Sequence, residues 1–377
     1  MSIPRATLRV DLDALVHNWH LLDAAARPGR SAAVVKANAY GLGDVHVARA
    51  LLGAGCRTLF VATCEEALAL RDAGIDSELY VFEGARRETA ALLAHAGVSP
   101  VLNDAGQCEH WRTATASLAS QPGHAIHVDT GMSRLGFPVA DFLAFASGIP
   151  RLPQPSLLVT HLACADEPAH PQNAAQLAAF ARCRAVLPGV PTSIGNSAGA
   201  LLGASTRGDV VRPGIALYGG NPFVDRRPLP LREVVHVRAP VLQVRQLPSG
   251  APVGYGATHV TMSPRRVATL GIGYADGYPR SLGDRGWGEL RGVRVPVLGR
   301  VSMDLVVVDI TDVPGEVLPG DAVTMLGGAV GLDALADAAG TIAYELLTRL
   351  GPRFQREHVH EDRRAGHAVG RGADDAG

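Results

Sequence analysis

The sequence predicts an α/β fold: a (β/α)8 TIM-type barrel over residues 11–231, then a mainly antiparallel β domain over 232–362 that residues 1–10 join. Residues 363–377 read as a loose tail. Three observations predict this. Short apolar runs alternate with stretches of helical period through the first two thirds of the chain. The texture then turns to Val-rich alternating segments, punctuated by Gly and Pro about every ten residues. Finally, 377 residues are too many for one ordinary domain but suit a large domain with a smaller one.

The barrel strands are read from the apolar runs AAVVKAN (32–38), TLFVAT (58–63), ELYVFEG (78–84), VSPVLN (98–103), AIHVDT (125–130), SLLVTHL (156–162), TSIGNS (192–197) and DVVRPGIALYG (209–219). Most are followed by a helix candidate. One helix carries Leu15, Val16, Trp19 and Leu22 after an N-cap at Asp13. Another carries Val45, Ala48, Leu51 and Leu52 after Asp44 and ends at Gly53 and Gly55. A doubly wound open sheet fits the same alternation and stands as the alternative on pattern alone. Beyond residue 232, VVHVRAPVLQVRQL, RVATLGIGY, VRVPVLGRV and DLVVVDIT read as antiparallel strands, and TLRVDL (7–12) can pair with them. The tail lacks apolar periodicity.

Composition narrows the function. Hydrophobic residues make up 47% of the chain and charged residues 19%, enough for a sizeable core. A formal net charge of −1, with its basic residues spread out, argues against nucleic-acid or polybasic membrane partners. The N-terminus has early charges and no apolar signal core, and no run reaches the roughly 18 apolar residues of a membrane span. The five cysteines, Cys56, Cys64, Cys108, Cys164 and Cys183, are scattered without metal spacing, so no metal is expected. A reducing, cytoplasmic home is the expectation. Cys164 lies near the candidate site, with a buried inert thiol as its plain reading.

Lys36 ends a wholly apolar strand, where a barrel places its active site. Low-dielectric walls lower an ammonium pKa, and a neutral amine can form a Schiff base with a carbonyl. On position alone, a lysine snorkelling at a strand end is the favoured reading. At the ends of the seventh and eighth strands, GNSAGA (195–200) and RPGIALYGG (212–220) put small residues and backbone amides where barrels often hold a phosphate. Ser197, the amides of Gly214 and Ile215, and the Tyr40 hydroxyl are candidate donors, although tight turns also want glycine. Amine and phosphate cradle together read as a pyridoxal 5'-phosphate site.

VVKANAYGLG (34–43) closely resembles the lysine signature of alanine racemases, the barrel-type pyridoxal-phosphate enzymes. VDTGMSRLGF, THLACADE, GNSAGA, VVRPGIALYGG, VGYGATH, GIGYADGYPR, GRVSMD and AYELLTR follow in family order. The resemblance implies a barrel plus β domain, a head-to-tail homodimer with composite sites, and alanine as substrate. It implies Lys36 as the Schiff-base lysine and base on one substrate face, and Tyr255 of the other subunit as base on the opposite face. It implies Arg212 opposite the pyridine nitrogen and His161 bridging that arginine toward the tyrosine. Tyr40, Ser197, Gly214 and Ile215 match the phosphate set, with Asn196 beside them. Arg134 and the Met303 backbone correspond to groups holding the substrate carboxylate or cofactor phenolate, and Tyr274 to an entrance tyrosine.

The chemistry explains these types. Racemisation removes a proton from one face of Cα and returns it to the other, so one base per face is the direct solution. A phenol, with reference pKa about 10, needs nearby positive charge to serve near neutrality. Arginine cannot hand over its proton, so the ring beside it stays neutral, which discourages transamination and decarboxylation. Taken singly, His161 could be structural, Arg134 could cap a loop or pair with Asp129, Tyr274 and Tyr278 could be core aromatics, and Asp304 could pair with Arg300.

Two positions depart from the family pattern. Many members carry a carbamylated lysine where this chain has His127, which cannot be expected to hold a carbamate. Arg134 is therefore expected to be oriented by His127 accepting a hydrogen bond, by Asp129, or by a bound anion. GPRFQR (351–356) also lacks a tyrosine that some relatives use near the phosphate. Open readings within the fold are a serine or broad-specificity racemase, a non-catalytic pyridoxal-phosphate binder, which would lack the β domain, and a decarboxylase, which would place an acid where Arg212 stands.

Overall fold

The computed structural model describes residues 5–119, 122–147 and 154–360. The predicted tail at 363–377 lies outside the described residues. Strands Ala33–Val34, Thr58–Val61, Glu78–Val81, Ser99–Leu102, Ala125–Asp129, Leu157–Val159 and Thr192–Ser193 pair side by side in parallel. Val210–Val211 then pairs in parallel with Arg30–Ser31, which feeds directly into the first of these strands. Backbone hydrogen bonds from Asp209 to Thr192 and from Arg212 to Gly195 stitch the last two strands together. The sheet therefore closes, and the open doubly wound alternative falls away. Strands walled by helices outside and by each other inside are buried on both faces, and every residue of Thr58–Val61 is buried.

The helices follow the predicted order with shifted ends. The first, Leu12–Ala26, is capped by Asp11, whose Oδ1 accepts the Ala14 amide at 2.8 Å. Asp13 instead lies inside the first turn, where an acid suits the helix dipole just as well. In the helix Asp44–Gly53, Gly43 occupies the N-cap, and Val47 joins Ala48 and Leu51 as a buried residue while Val45 packs partly buried against the same core.

The long strand Val235–Leu247 organises the second sheet. It pairs antiparallel with Thr7–Asp11, Arg265–Leu270 and Ala322–Leu326. Thr7–Asp11 also runs parallel to Gln355–Val359, the one parallel pair named in this sheet. The N-terminal strand thus enters the β domain before the chain turns into the barrel. A single cluster of buried apolar side chains runs from Leu8 through Trp111 to Phe354, so barrel and sheet share one core. Among the described residues, no helix is long and apolar enough to cross a membrane.

Candidate active site

Lys36 is the only lysine in the chain. It follows the strand Ala33–Val34 at the carboxyl end of the barrel and is half-buried. The four residues after it, Ala37, Asn38, Ala39 and Tyr40, all adopt left-handed backbone with φ between 50 and 57°. Each costs an L-residue roughly 1–2 kcal/mol, so the turn persists only because its surroundings hold it. Glu66 accepts the Ala37 amide at 2.7 Å. From the β domain, Arg356 donates to the Gly41 carbonyl and the His358 ring to the Leu42 carbonyl, both at 2.6 Å. Asn38 Oδ1 accepts the Asp44 amide at 3.0 Å.

The turn opens onto a cavity of about 490 Å³. Lys36, Tyr40, Arg134, His161, Asn196, Ser197, Arg212, Gly214 and Ile215 all line it, joined by Phe82, Ile342, Tyr344, Glu345 and Thr348. Burial lowers the Lys36 ammonium pKa, Arg134 lowers it further, and Glu66 opposes both. The Lys36 Nζ lies 5.7 Å from the centre of the Phe82 ring.

Arg212 is 2% exposed. It donates to Ser193 Oγ, to the Thr160 carbonyl at 2.8 Å and to His161 Nδ1 at 3.3 Å, while its Nε is buried without a partner. Burial, then the Arg212 charge, holds the His161 imidazole well below its ordinary pKa, so it is neutral. On the other wall, Ser197 Oγ accepts the amides of Gly214 at 2.9 Å and Ala216 at 3.2 Å, leaving its own hydrogen to donate elsewhere. The Gly214 amide is thus already engaged within the chain. A Cβ at Gly214 would lie 2.0 Å from the Tyr40 hydroxyl oxygen, so glycine is required for that approach. Asn196 caps the short helix Ser197–Leu202 by accepting the Gly199 amide.

Neither His127 nor Asp129 meets Arg134, the two protein partners expected for it. Asn103 donates its Nδ2 to the Phe82 and Val101 carbonyls, which leaves Oδ1 to accept from His127 Nδ1 at 2.8 Å. Asp129 accepts the Gly131 and Met132 amides. Among the described residues, Arg134 makes no hydrogen bond or ion pair. With Lys36 the only lysine, no other side chain can carry a lysine carbamate.

Three predicted residues stay outside the cavity of the single chain. Tyr255 is 73% exposed, and Tyr274 and Met303 are also exposed. They occupy adjoining loops of the β domain: the Tyr274 amide donates to Ser302 and the Ala275 amide to Met303. Tyr278 is buried, as a core aromatic would be. Asp304 pairs with Arg353 at 2.6 Å, not with Arg300. Cys164 is half-buried.

Phe82, Tyr344 and Glu66 had no role in the sequence reading. Phe82 follows its strand at the same level as Lys36, so the barrel rule applied to every strand end would have found it. Tyr344 stands in the matched segment AYELLTR, and its ring lies 6.0 Å from that of Tyr40.

Fold and cavity together define a two-domain barrel enzyme whose site is built around an amine at the carboxyl end of a strand. The family model for the alanine racemase N-terminal domain matches residues 10–222, and that for the C-terminal domain matches 234–358. The chain belongs to the alanine racemase family and is an isomerase. It is 46% identical over 358 residues to the alanine racemase of Rhodospirillum rubrum, covering 94% of this chain and 96% of that one. It is 43% identical over 358 residues to a Mesorhizobium japonicum protein named "Alanine racemase, catabolic", covering 94% and 93%. The crystal structure of alanine racemase from Bartonella henselae, with covalently bound pyridoxal phosphate, superposes with TM-score 0.89 at 38% identity, covering 95% of this chain and 100% of that one.

Proposed function

We propose that this chain interconverts L- and D-alanine with pyridoxal 5'-phosphate, using Lys36 on one face of the substrate Cα and Tyr255 of a partner subunit on the other. The observation that carries the reading is Lys36 itself: the one lysine of the chain, half-buried in a cavity beside Arg212 and Ser197. When bound, the cofactor supplies an aldehyde for an amine and a conjugated ring that delocalises the electron pair left by a broken Cα–H bond.

The residues present fit that group. The buried, unpartnered Nε of Arg212 is a donor awaiting an acceptor, as a neutral ring nitrogen would be. The Ser197 and Tyr40 hydroxyls, with Asn196 and the Ile215 amide, form the phosphate end, and Gly214 gives the Tyr40 hydroxyl room to approach. Lowered basicity lets the Lys36 Nζ hold the cofactor, and then take or return the Cα proton from its own side. His161, accepting from Arg212 through Nδ1, carries its hydrogen on Nε2 and relays the buried positive charge toward the opposite base. Arg134, which makes no hydrogen bond or ion pair among the described residues, holds the substrate carboxylate, with the Met303 backbone of a partner subunit beside it. Tyr274 of a partner subunit narrows the entrance.

Exposure of Tyr255 supports a homodimer with composite sites. Met262, just beyond the hairpin that carries it, is 88% exposed, an apolar surface that a partner would cover. Residues 11–231 form the cofactor-binding barrel in this reading, with 1–10 and 232–362 as the β domain. A cytoplasmic enzyme supplying D-alanine for peptidoglycan is the favoured role. A degradative role is the second reading, favoured by the catabolic names of two relatives.

Chiral analysis of products from purified protein with L-alanine, with and without added cofactor, tests the proposal. Racemic alanine formed only with the cofactor is expected; no D-alanine would overturn it. L-serine and L-lysine run in parallel set the specificity, which differs by one hydroxyl for serine.

A further inference from the structure

We infer that Glu66 is a positioning residue for Lys36, its two carboxylate oxygens clamping the backbone on either side of the site so that the left-handed turn aims the lysine into the cavity. Oε1 accepts the Ala37 amide, directly after Lys36, and Oε2 accepts the Ala62 amide, just past the strand Thr58–Val61. Both distances are 2.7 Å, typical of charge-assisted bonds. One side chain thus ties the ends of two neighbouring barrel strands together above the sheet. Its own amide donates to Thr63 Oγ1, which fixes the helix Cys64–Asp72 that carries it. Among the described residues Glu66 forms no ion pair, so both oxygens serve the backbone.

The position matters because the turn is strained. Ala37, with φ 54°, has a Cβ and gains nothing from being left-handed. A hydrogen bond from its amide to a carboxylate offsets part of that cost at the residue next to the reacting amine. Charge acts alongside geometry. Of the groups facing Lys36, Arg134 and His161 belong to the cavity wall, and Arg134 disfavours the ammonium while Glu66 favours it. Loss of the Glu66 charge therefore makes the free amine more abundant, yet aims it less well. A merely structural residue would not separate these two effects.

The inference rests on Lys36 as the cofactor-bearing base, and its test reads Lys36 without racemisation. In cofactor-free full-length protein, reductive ¹³C-methylation labels one side-chain amine, because the chain has one lysine. Titration by NMR is expected to show the Lys36 acid dissociation constant raised about three- to tenfold in Glu66→Gln and unchanged in the exposed neighbour Glu65→Gln. Amide exchange at Ala37 is expected to be about tenfold faster in Glu66→Gln and in Glu66→Asp, whose shorter side chain cannot span both amides. In the loaded enzyme, kcat falls about tenfold or more with little change in KM, although more amine is free base. A wild-type titration with unchanged Ala37 exchange in Glu66→Gln overturns the inference and leaves the racemase reading standing. Should that variant not fold, unchanged Ala37 exchange in Glu66→Asp overturns it alone. Wild-type protein without racemase activity would strike the functional reading instead.

Discussion

Arg212 Nη2 lies 3.3 Å from His161 Nδ1, and the chemistry of the pair fixes the direction of the bond. A guanidinium has donors only, so the imidazole accepts through Nδ1 and keeps its hydrogen on Nε2. The pair is therefore a buried cation with a neutral, oriented relay attached, set beside the amine of Lys36 in one cavity. No acid stands with them among the residues lining that wall apart from Glu345. In the proposed function this pair keeps the cofactor ring neutral and delivers positive charge toward the opposite base.

Replacing Arg212 tests that arrangement. Arg212→Gln leaves Ser193 Oγ and the Thr160 carbonyl short of a donor, at a cost of about 2–4 kcal/mol in stability. Racemisation is expected to fall about 10²–10³-fold in kcat/KM. Pyruvate appearing as a side product, followed by coupled assay, is the second expected outcome. A variant that racemises normally would remove Arg212 from the account.

The proposed phosphate end can be tested at one atom. Gly214→Ala places a Cβ where the Tyr40 hydroxyl sits, and the left-handed turn that carries Tyr40 leaves little room to retreat. Cofactor retention is expected to weaken at least about 100-fold, equivalent to about 3 kcal/mol. Visible absorbance after dialysis reads it. Full occupancy in the variant would show that this wall does not hold the cofactor.

Acid should unfold the barrel earlier than its net charge suggests. Burial holds His124 and His127 to pKa values of about 4, and it holds His161 well below the ordinary imidazole range. The unfolded chain binds protons on all three below about pH 6.5, while the native chain does not. Stability present above that pH is therefore lost as pH falls from about 6.5 toward 4, on the order of 3 kcal/mol for each of His124 and His127. Urea melts at pH 7 and pH 5 are expected to differ by several kcal/mol, and His127→Asn to shrink the gap. Equal midpoints at the two pH values would contradict the burial of neutral imidazoles.

Much of this was legible in the chain, for physical reasons. Doubly buried strands advertise themselves as apolar runs, so the barrel strands and the cavity residues at their ends could be placed. Helix starts were less legible: Asp11 and Asp13 both satisfy an N-terminus, and only geometry picks the first. The turn after Lys36 was invisible, because Ala37, Ala39 and Tyr40 carry no propensity for left-handed backbone and are held there by Glu66, Arg356 and His358 from far along the sequence. Side-chain partners at long range were equally hidden. By residue type Asp129 and His127 can orient Arg134, yet local amides and Asn103 engage them first.

The most direct test mixes two inactive chains. Equal amounts of Lys36→Ala and Tyr255→Phe protein, unfolded and refolded together, give hybrid dimers in which one site of two has both a wild-type lysine and a tyrosine supplied across the interface. About a quarter of wild-type alanine racemisation is expected, since half the dimers are hybrids with one competent site. If lysine and tyrosine of the same chain worked together, no hybrid site would be complete, and activity no greater than that of the separate variants would contradict the account.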